Sequence, residues 1–275
     1  MKESNNRIAY FDYLKLISII LVIYVHMAWI SESKFSNLTM LLTIVAVPLF
    51  FMVNGALLFS KPLDIKKHYI KVVKLILTVI VWKLIIFVVW NALGRVDKGE
   101  LRFGNILTYL LFERRIGDTP VEHLWFMYSL IRIYIFYPLI RLMMDKDKKY
   151  LKYILIIAFV FSFGTEFMNW GYRTINNSLE LGKYSVINAT YLPIPDLQYL
   201  TYFILGYLIH SKLYEKSFEK KKIYYLIPIV GFIVGVGVLL FVRYKQTGSA
   251  LDGKYVRIIN DYSKISDLLM ASSMF

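Results

Sequence analysis

Cysteine is absent from all 275 residues of the chain. Its absence excludes disulfide bonds, thiolate metal sites and a cysteine nucleophile, so any catalysis must use other side chains, and we predict no metal site. Acidic residues are also few, with 19 Asp and Glu against 33 Lys and Arg, for a formal net charge of +14. Because the lysines cluster in alternate loops between apolar runs, we interpret this charge as a membrane-topology signal and expect no nucleic-acid partner.

Hydrophobic residues, by contrast, make up 57% of the chain, which is too apolar for a soluble protein of this size. Several runs approach the roughly twenty apolar residues that cross the hydrocarbon of a bilayer. Seven are found, at Tyr10–Ile30, Leu38–Phe59, Val72–Trp90, Leu124–Leu142, Tyr153–Phe167, Leu197–Ile209 and Ile223–Val242. An eighth begins near Ile265 and stops at Phe275. The sequence therefore predicts an all-α polytopic transmembrane bundle of seven complete spans and an incomplete eighth.

The charge distribution predicts the orientation of these spans. Lysines crowd three short alternate loops, at Lys61, Lys66 and Lys67, at Lys146, Lys148, Lys149 and Lys152, and at Lys212, Lys216, Lys220, Lys221 and Lys222. Positively charged loops stay in the cytoplasm, so we expect a cytoplasmic N-terminus and odd-numbered spans that run outward. In one outer loop, the apolar segment Phe103–Phe112 is too short to cross and is expected either to lie along the interface or to fold back into the bundle.

The first span carries three ionisable residues on one helix face. Asp12, Lys15 and His26 recur with Ile19 and Val22 at three- and four-residue steps. Lys15 and His26 are about 16 Å apart along the axis, so the lysine lies near the inner surface and the histidine in the outer half. In one interpretation Asp12 and Lys15 form an interfacial ion pair and His26 is a packing histidine. In the other, His26 is a general base or an acyl carrier, and the sequence does not choose between these roles.

Two further clusters lie at the ends of the third and fourth spans. Lys66, Lys67, His68, Lys71 and Lys74 form a basic cluster at an inner end, which serves topology or attracts lipid headgroups or a phosphate-bearing cosubstrate. Glu122, His123, Trp125 and Phe126 open the fourth span at the outer side, where His26 also points. An interfacial aromatic belt accounts for Trp125 and Phe126 but not for the adjacent Glu and His.

Charges deeper in the bilayer are a third feature. Lys83, Arg132 and Glu166 lie within the third, fourth and fifth predicted spans. Ionisable groups in hydrocarbon are costly unless paired or hydrated, so these residues favour a hydrated, substrate-binding cavity. The alternative is that Lys83 snorkels and that Arg132 pairs with Glu166 as a structural link.

Taken in order, five short motifs resemble those of the acyltransferase-3 family, multi-span bacterial enzymes that transfer acyl groups, usually acetyl, to surface or secreted carbohydrates. These are Lys15 and His26 with ten residues between them, Phe50–Gly55 with Asn54 where serine is more common, Lys71 and Lys74 in place of two arginines, His123–Phe126 followed by Tyr134 and Pro138, and Tyr202–Tyr207. The family has more spans than this chain. We therefore expect a single membrane-embedded domain over residues 1–275 that is truncated at its C-terminus.

The resemblance implies a membrane O-acyltransferase, most often an O-acetyltransferase, of the bacterial cytoplasmic membrane. Acetyl-CoA or another acyl-CoA would be the cosubstrate, with no tightly bound cofactor, and a glycan hydroxyl on the outer side would be the acceptor. Membrane lipids surround the spans. The implied catalytic residues are His26, Glu122 and His123, the donor phosphates would lie near Lys15, Lys67, Lys71 and Lys74, and the substrate contacts would be Asp12, Trp125, Lys83, Arg132 and Glu166. Alternatives are a polysaccharide or small-molecule transporter and an accessory subunit of a glycan synthase.

Overall fold

A computed structural model describes residues 9–27, 43–165, 167–168, 171, 196–215, 223–247 and 264–275. The regular secondary structure of these ranges is entirely helical, with connecting turns and no strand, which confirms the all-α prediction. In the described ranges the α-helices are α1 (Ala9–Met27), α2 (Ala46–Phe59), α3 (Ile65–Ala92), α4 (Phe103–Leu111), α5 (Trp125–Lys146), α6 (Lys148–Phe159), α7 (Leu197–Glu215), α8 (Ile223–Thr247) and α9 (Ile265–Met274). Short 3₁₀ turns lie at Lys98–Glu100 and Glu122–Leu124, and a π-helical turn, Val160–Gly164, follows α6.

Three helical segments of the described chain are long and apolar enough to cross a membrane, namely Ala9–His26, Ile65–Ala92 and Glu122–Lys146. Ala46–Phe59 and Leu226–Val242 are shorter apolar helices. The protein is therefore a helical membrane protein. The number of seven spans and the cytoplasmic N-terminus stay predictions.

The chain divides into two compact units. The first unit comprises Met1–Lys61 and Lys149–Phe275, and the second unit comprises Pro62–Lys148. The first unit therefore contains α1, α2 and α6 to α9, and the second contains α3 to α5. The second unit is a single continuous stretch of sequence.

In the first unit, α2 and α7 pack with their backbones in close approach. A Cβ atom added to Gly55 would collide with the carbonyl of Phe203, and one added to Gly206 would collide with the backbone of Met52. Glycine is therefore required on both helices, as in close helix pairs of membrane proteins. Gly55 ends the motif Phe50–Gly55 and Gly206 lies within Tyr202–Tyr207, so the structure brings two of the sequence motifs together.

Aromatic contacts fix the direction of the same pair. The rings of Phe51 and Tyr199 stack with centroids 4.8 Å apart near the starts of α2 and α7, and the rings of Phe59 and Tyr207 are 5.1 Å apart further along both helices. The two helices therefore run parallel. α2 and α7 correspond to the second and sixth predicted spans, and two even-numbered spans of the predicted topology would run in the same direction.

A second close contact joins α8 to α9. A Cβ at Gly235 would lie 3.1 Å from the carbonyl oxygen of Ser266, and one at Gly231 would meet the hydroxyl of Ser273. These glycines are four residues apart, the small-xxx-small spacing that lets membrane helices approach closely. Because Gly231 pairs with the later serine, the helices are antiparallel. Sequence reasoning missed this motif.

In the second unit, α3 packs against α5 through a buried stripe of His68, Val72, Val79 and Lys83. The imidazole Nε2 of His68 lies 2.7 Å from the carbonyl oxygen of Tyr134 and donates to it. That carbonyl is four residues before Pro138, which has no N–H to bond to it within the helix. The ring of His68 therefore supplies the hydrogen bond that the proline removes.

We expect His68→Leu to lower the free energy of unfolding by about 1–3 kcal/mol, because it leaves the buried carbonyl of Tyr134 without a donor. In a Pro138→Ala background the backbone N–H returns, so the same substitution should cost less than about 1 kcal/mol. Chemical unfolding of the protein in detergent measures both effects. Tyr69→Phe is the matched control, since the hydroxyl of Tyr69 is exposed and its bond to the carbonyl of Ile135 is longer, at 3.3 Å. An equal cost of His68→Leu with and without Pro138 would contradict this role.

Candidate functional site

The three ionisable residues of the first predicted span lie on α1, which is one uninterrupted helix of 19 residues. Its buried face is formed by Phe11, Leu14 and Ser18 and packs toward α2. The face that carries Lys15 and His26 is turned from this buried face by roughly a quarter turn. The predicted stripe is therefore on the flank of α1, outside the packed interior of the first unit.

Along this stripe, exposure increases from the inner to the outer end. Asp12 and Lys15 are half-buried, whereas His26 is exposed in the last turn of α1. Asp12 takes part in a polar or electrostatic contact. In the described part of the chain, no hydrogen bond holds the imidazole of His26. A general base or an acyl carrier needs such an accessible nitrogen, whereas a packing histidine would have a partner.

The start of α1 is held by a contact that the sequence motifs did not indicate. The hydroxyl of Tyr10 lies 2.6 Å from Nδ1 of His210 on α7, within hydrogen-bond distance. The rings of Phe11 and Phe275 are 6.2 Å apart, so the end of α9 also reaches this point. His210 follows the motif Tyr202–Tyr207 by three residues, close to one helical turn. These contacts fix the end of α1 that carries Lys15.

The predicted donor-binding lysines of the second unit share one face of α3. Lys67, Lys71 and Lys74 are exposed, and their face is roughly a third of a turn from the buried stripe. Asp64 caps the helix by accepting the backbone N–H of Lys67 at 3.0 Å and pairs with its ammonium at 3.0 Å. These interactions hold the pKa of the Asp64 carboxyl below its ordinary value. No described acidic side chain pairs with Lys71 or Lys74, so both are open to an anion.

At the other end of this unit, Glu122 and His123 are exposed on the 3₁₀ turn that leads into α5. Glu122 forms an ion pair with Arg115, and His123 also takes part in a contact. Trp125 is half-buried, with its ring edge-to-face to Phe126 at 6.3 Å. The predicted acceptor-orienting residues therefore form a polar edge beside an aromatic pair.

Lys83 is fully buried, so it does not snorkel to the surface. Its ammonium donates to the carbonyl oxygens of Phe112 at 2.7 Å and Arg114 at 3.2 Å and to the hydroxyl of Tyr128 at 3.1 Å. It also lies over the ring of Tyr109, 4.4 Å from the centroid. All three donors of the ammonium are thus engaged. A substrate contact by Lys83 stays a prediction and requires the displacement of one of these acceptors.

Arg132 has partners that the sequence did not suggest. Its guanidinium lies 3.3 Å from the carboxylate of Glu113 and 3.3 Å from the hydroxyl of Ser129. Glu166, the partner suggested by the sequence, lies outside the described residues. The segment that holds Glu113 precedes α5, and no sequence pattern placed it against this helix.

The predicted site residues are divided between the units. Asp12, Lys15 and His26 belong to the first unit, and the second unit holds Lys67, Lys71, Lys74, Lys83, Glu122, His123, Trp125 and Arg132.

A family of acyltransferase domains matches residues 8–275. The chain belongs to the acyltransferase-3 family. Neither a curated protein nor a solved structure matches the chain. Membership in this family confirms the resemblance found in the sequence and supports an acyltransferase activity for this acyltransferase-3 protein. Together with the apolar helices of the chain, it indicates a membrane enzyme.

Proposed function

We propose that this acyltransferase-3 protein is a membrane O-acyltransferase that moves an acyl group, acetyl by the family resemblance, from cytoplasmic acyl-CoA to a hydroxyl of a surface or secreted glycan. The observation that carries the proposal is the polar flank of α1. It bears a half-buried lysine and an exposed histidine about 16 Å apart on one uninterrupted helix. A donor bound at one end and an acceptor at the other would meet along this flank.

Positive charge favours the lysine-rich inner ends of the helices as the donor site. The phosphates of acyl-CoA are attracted to lysines, which act as point charges without the paired geometry of arginine. Lys15 on α1 and Lys71 and Lys74 on α3 each offer an ammonium near the predicted inner end of a span, and Lys67 adds a fourth that is shared with Asp64. Loss of affinity for acyl-CoA is therefore the effect expected from neutralising these lysines.

The reaction at the other end uses His26. As general base, its neutral imidazole takes the proton of the glycan hydroxyl while that oxygen attacks the thioester carbonyl. A carbon–oxygen bond forms, the carbon–sulfur bond breaks, and the departing thiolate receives the proton. In the second route the imidazole attacks first and carries the acyl group to the hydroxyl. Both routes give one ester and one CoA thiol for each turnover.

The acceptor contacts complete the proposal. Glu122 or His123 orients the sugar hydroxyl, and Asp12, Trp125, Lys83, Arg132 and Glu166 contact donor or acceptor. The polar edge beside Trp125 supports this assignment, since sugars present both hydroxyls and an apolar ring face. The enzyme would lie in a bacterial cytoplasmic membrane, with the lysine-rich loops inside and lipids against the exposed apolar helix faces.

Purified protein in liposomes, supplied with radiolabelled acetyl-CoA and a de-O-acetylated envelope polysaccharide, tests this function. We expect a free CoA thiol to be released and label to appear as an alkali-labile ester on the polysaccharide. The thiol assay has no background from the protein, because the chain has no cysteine. A transporter would instead move already acetylated polysaccharide across the liposome membrane without acetyl-CoA, and that result would overturn the proposal.

A further inference from the structure

The depth of Lys83 in the bilayer follows from its position on α3. The stretch between Lys74 and Asn91 has Lys83 as its one charged residue. Lys83 is nine residues after Lys74 and eight residues before Asn91, which correspond to roughly 14 and 12 Å along the helix. Since the hydrocarbon is about 30 Å thick, Lys83 lies near its middle.

The chain returns to this depth after leaving α3. The hydroxyl of Tyr109 on α4 donates to the backbone carbonyl of Lys83 at 3.0 Å. Directly after α4, the carbonyls of Phe112 and Arg114 accept from the Lys83 ammonium. Non-helical backbone at membrane depth is tolerated only where its polar groups are bonded within the protein or face water. Lys83 provides that bonding for the turn, so the turn lies at the level of Lys83 and not at the membrane surface.

Two ion pairs near this turn point to water. Tyr128 on α5 bonds to Lys83 and marks the same level, and Arg132 is one turn, about 6 Å, further along α5. The side chains of Arg132 and Glu113, which pair there, keep 35% and 47% of their surface exposed, and those of Arg115 and Glu122 keep 57% and 52%. Half-exposed charges in hydrocarbon cost several kcal/mol unless water reaches them. The exposed sides of these pairs must therefore face a hydrated space.

We propose that residues 103–121 form a re-entrant hairpin in the outer half of the bilayer, and that Glu113, Arg114, Arg115 and Arg132 line a water-filled vestibule open to the outer side. Lys83 holds the turn of the hairpin through the carbonyls of that turn, and Arg132, about 6 Å further toward the inner side, lies at the bottom of the vestibule. Resting on the proposed function, this vestibule is the route by which a carbohydrate hydroxyl, which cannot enter lipid, reaches the middle of the membrane.

Thiol labelling tests the vestibule, because the natural chain has no cysteine to react. We place single cysteines at Arg114, in the turn, at Asp97, in an exposed loop, and at Leu84, which is beside Lys83 in sequence and 46% exposed on the lipid side. Intact cells are treated with a membrane-impermeant charged thiol reagent. We expect Arg114→Cys to react within roughly tenfold of the Asp97→Cys rate, and Leu84→Cys to be at least about 100-fold slower, because hydrocarbon excludes the reagent.

Each labelling result decides one part of the proposal. An unreactive Arg114→Cys, together with an unreactive Arg115→Cys as the second position, overturns the vestibule. A Leu84→Cys that reacts as fast as Asp97→Cys overturns the depth, since the level of Lys83 would then be outside the hydrocarbon. Neither result depends on acyl transfer.

The acceptor route is tested on the labelled enzyme. A bulky reagent attached at Arg114→Cys should raise the KM for the polysaccharide several-fold and leave the KM for acetyl-CoA unchanged. An unchanged KM for the polysaccharide overturns the acceptor route while the labelling result stands. If the natural sequence itself transfers no acetyl group, the proposed function fails and the vestibule is judged by labelling alone.

Discussion

His26→Ala is expected to lower kcat for acyl transfer by about 10²- to 10⁴-fold, the range typical of losing a proton-transferring side chain. Nothing else on the exposed end of the α1 stripe can accept the proton of the attacking hydroxyl, since Ile19 and Val22 are aliphatic. The KM for acetyl-CoA should change little, because the proposed donor site is at the lysines and not at His26. Release of CoA thiol by the purified protein measures both constants.

The matched control is Ile20→Ala, which removes an exposed side chain from the same helix, 55% exposed and outside the stripe. Its turnover should equal that of the natural sequence. Turnover by His26→Ala at the control rate would refute a chemical role of the imidazole and favour an accessory subunit. Mass spectrometry after incubation with acetyl-CoA alone separates the two routes, because only an acyl carrier acquires an acetyl group on His26.

Gly206→Ala should lower the free energy of unfolding of the first unit by about 1–3 kcal/mol or more, the range of overpacked cores. The added methyl would fall on the backbone of Met52, which cannot move unless the whole of α2 shifts. Gly55→Ala should act in the same direction through the carbonyl of Phe203. Thermal unfolding in detergent, followed by size-exclusion chromatography, measures the loss.

Gly237→Ala on α8 is the control for this effect. A Cβ there would meet nothing within 4 Å, so alanine should be neutral or should stabilise the helix by up to about 1 kcal/mol. If the Gly206→Ala and Gly237→Ala proteins unfold at the same temperature, the close approach of α2 and α7 does not limit stability.

The sequence predicted helices well where apolar residues determine them. The first predicted span, Tyr10–Ile30, nearly coincides with α1. The third was predicted from Val72 because apolar residues begin there, whereas α3 begins at Ile65, seven residues earlier. The difference arises because Asp64 caps the helix and the first turns are polar. A helix continues through polar turns as long as its backbone bonds are satisfied, and hydropathy does not detect this.

Only the part of the candidate site that depends on local sequence could be predicted. The stripe of Lys15 and His26 could be predicted because it depends only on one helix and on the period of that helix, which are local features. The carbonyl partners of Lys83 and the carboxylate partner of Arg132 come from the segment after α4, so they depend on a chain reversal that no local pattern specifies. His68 was grouped with the neighbouring lysines by charge, but its bond to the carbonyl of Tyr134 depends on a proline 70 residues later in the chain. Long-range pairing of this kind requires the three-dimensional structure.

The division into two units has a consequence for synthesis. Pro62–Lys148 is continuous, so the second unit is complete when its last helix leaves the ribosome, whereas the first unit waits for Lys149–Phe275. The start of α1 is fixed only when His210 arrives beside Tyr10, 200 positions later in the chain. We expect the helix that carries Lys15 and His26 to be inserted first and to reach its final position last. Until then, the growing chain cannot hold the Lys15 end of α1 in place, so the donor site proposed on this helix forms only late in synthesis.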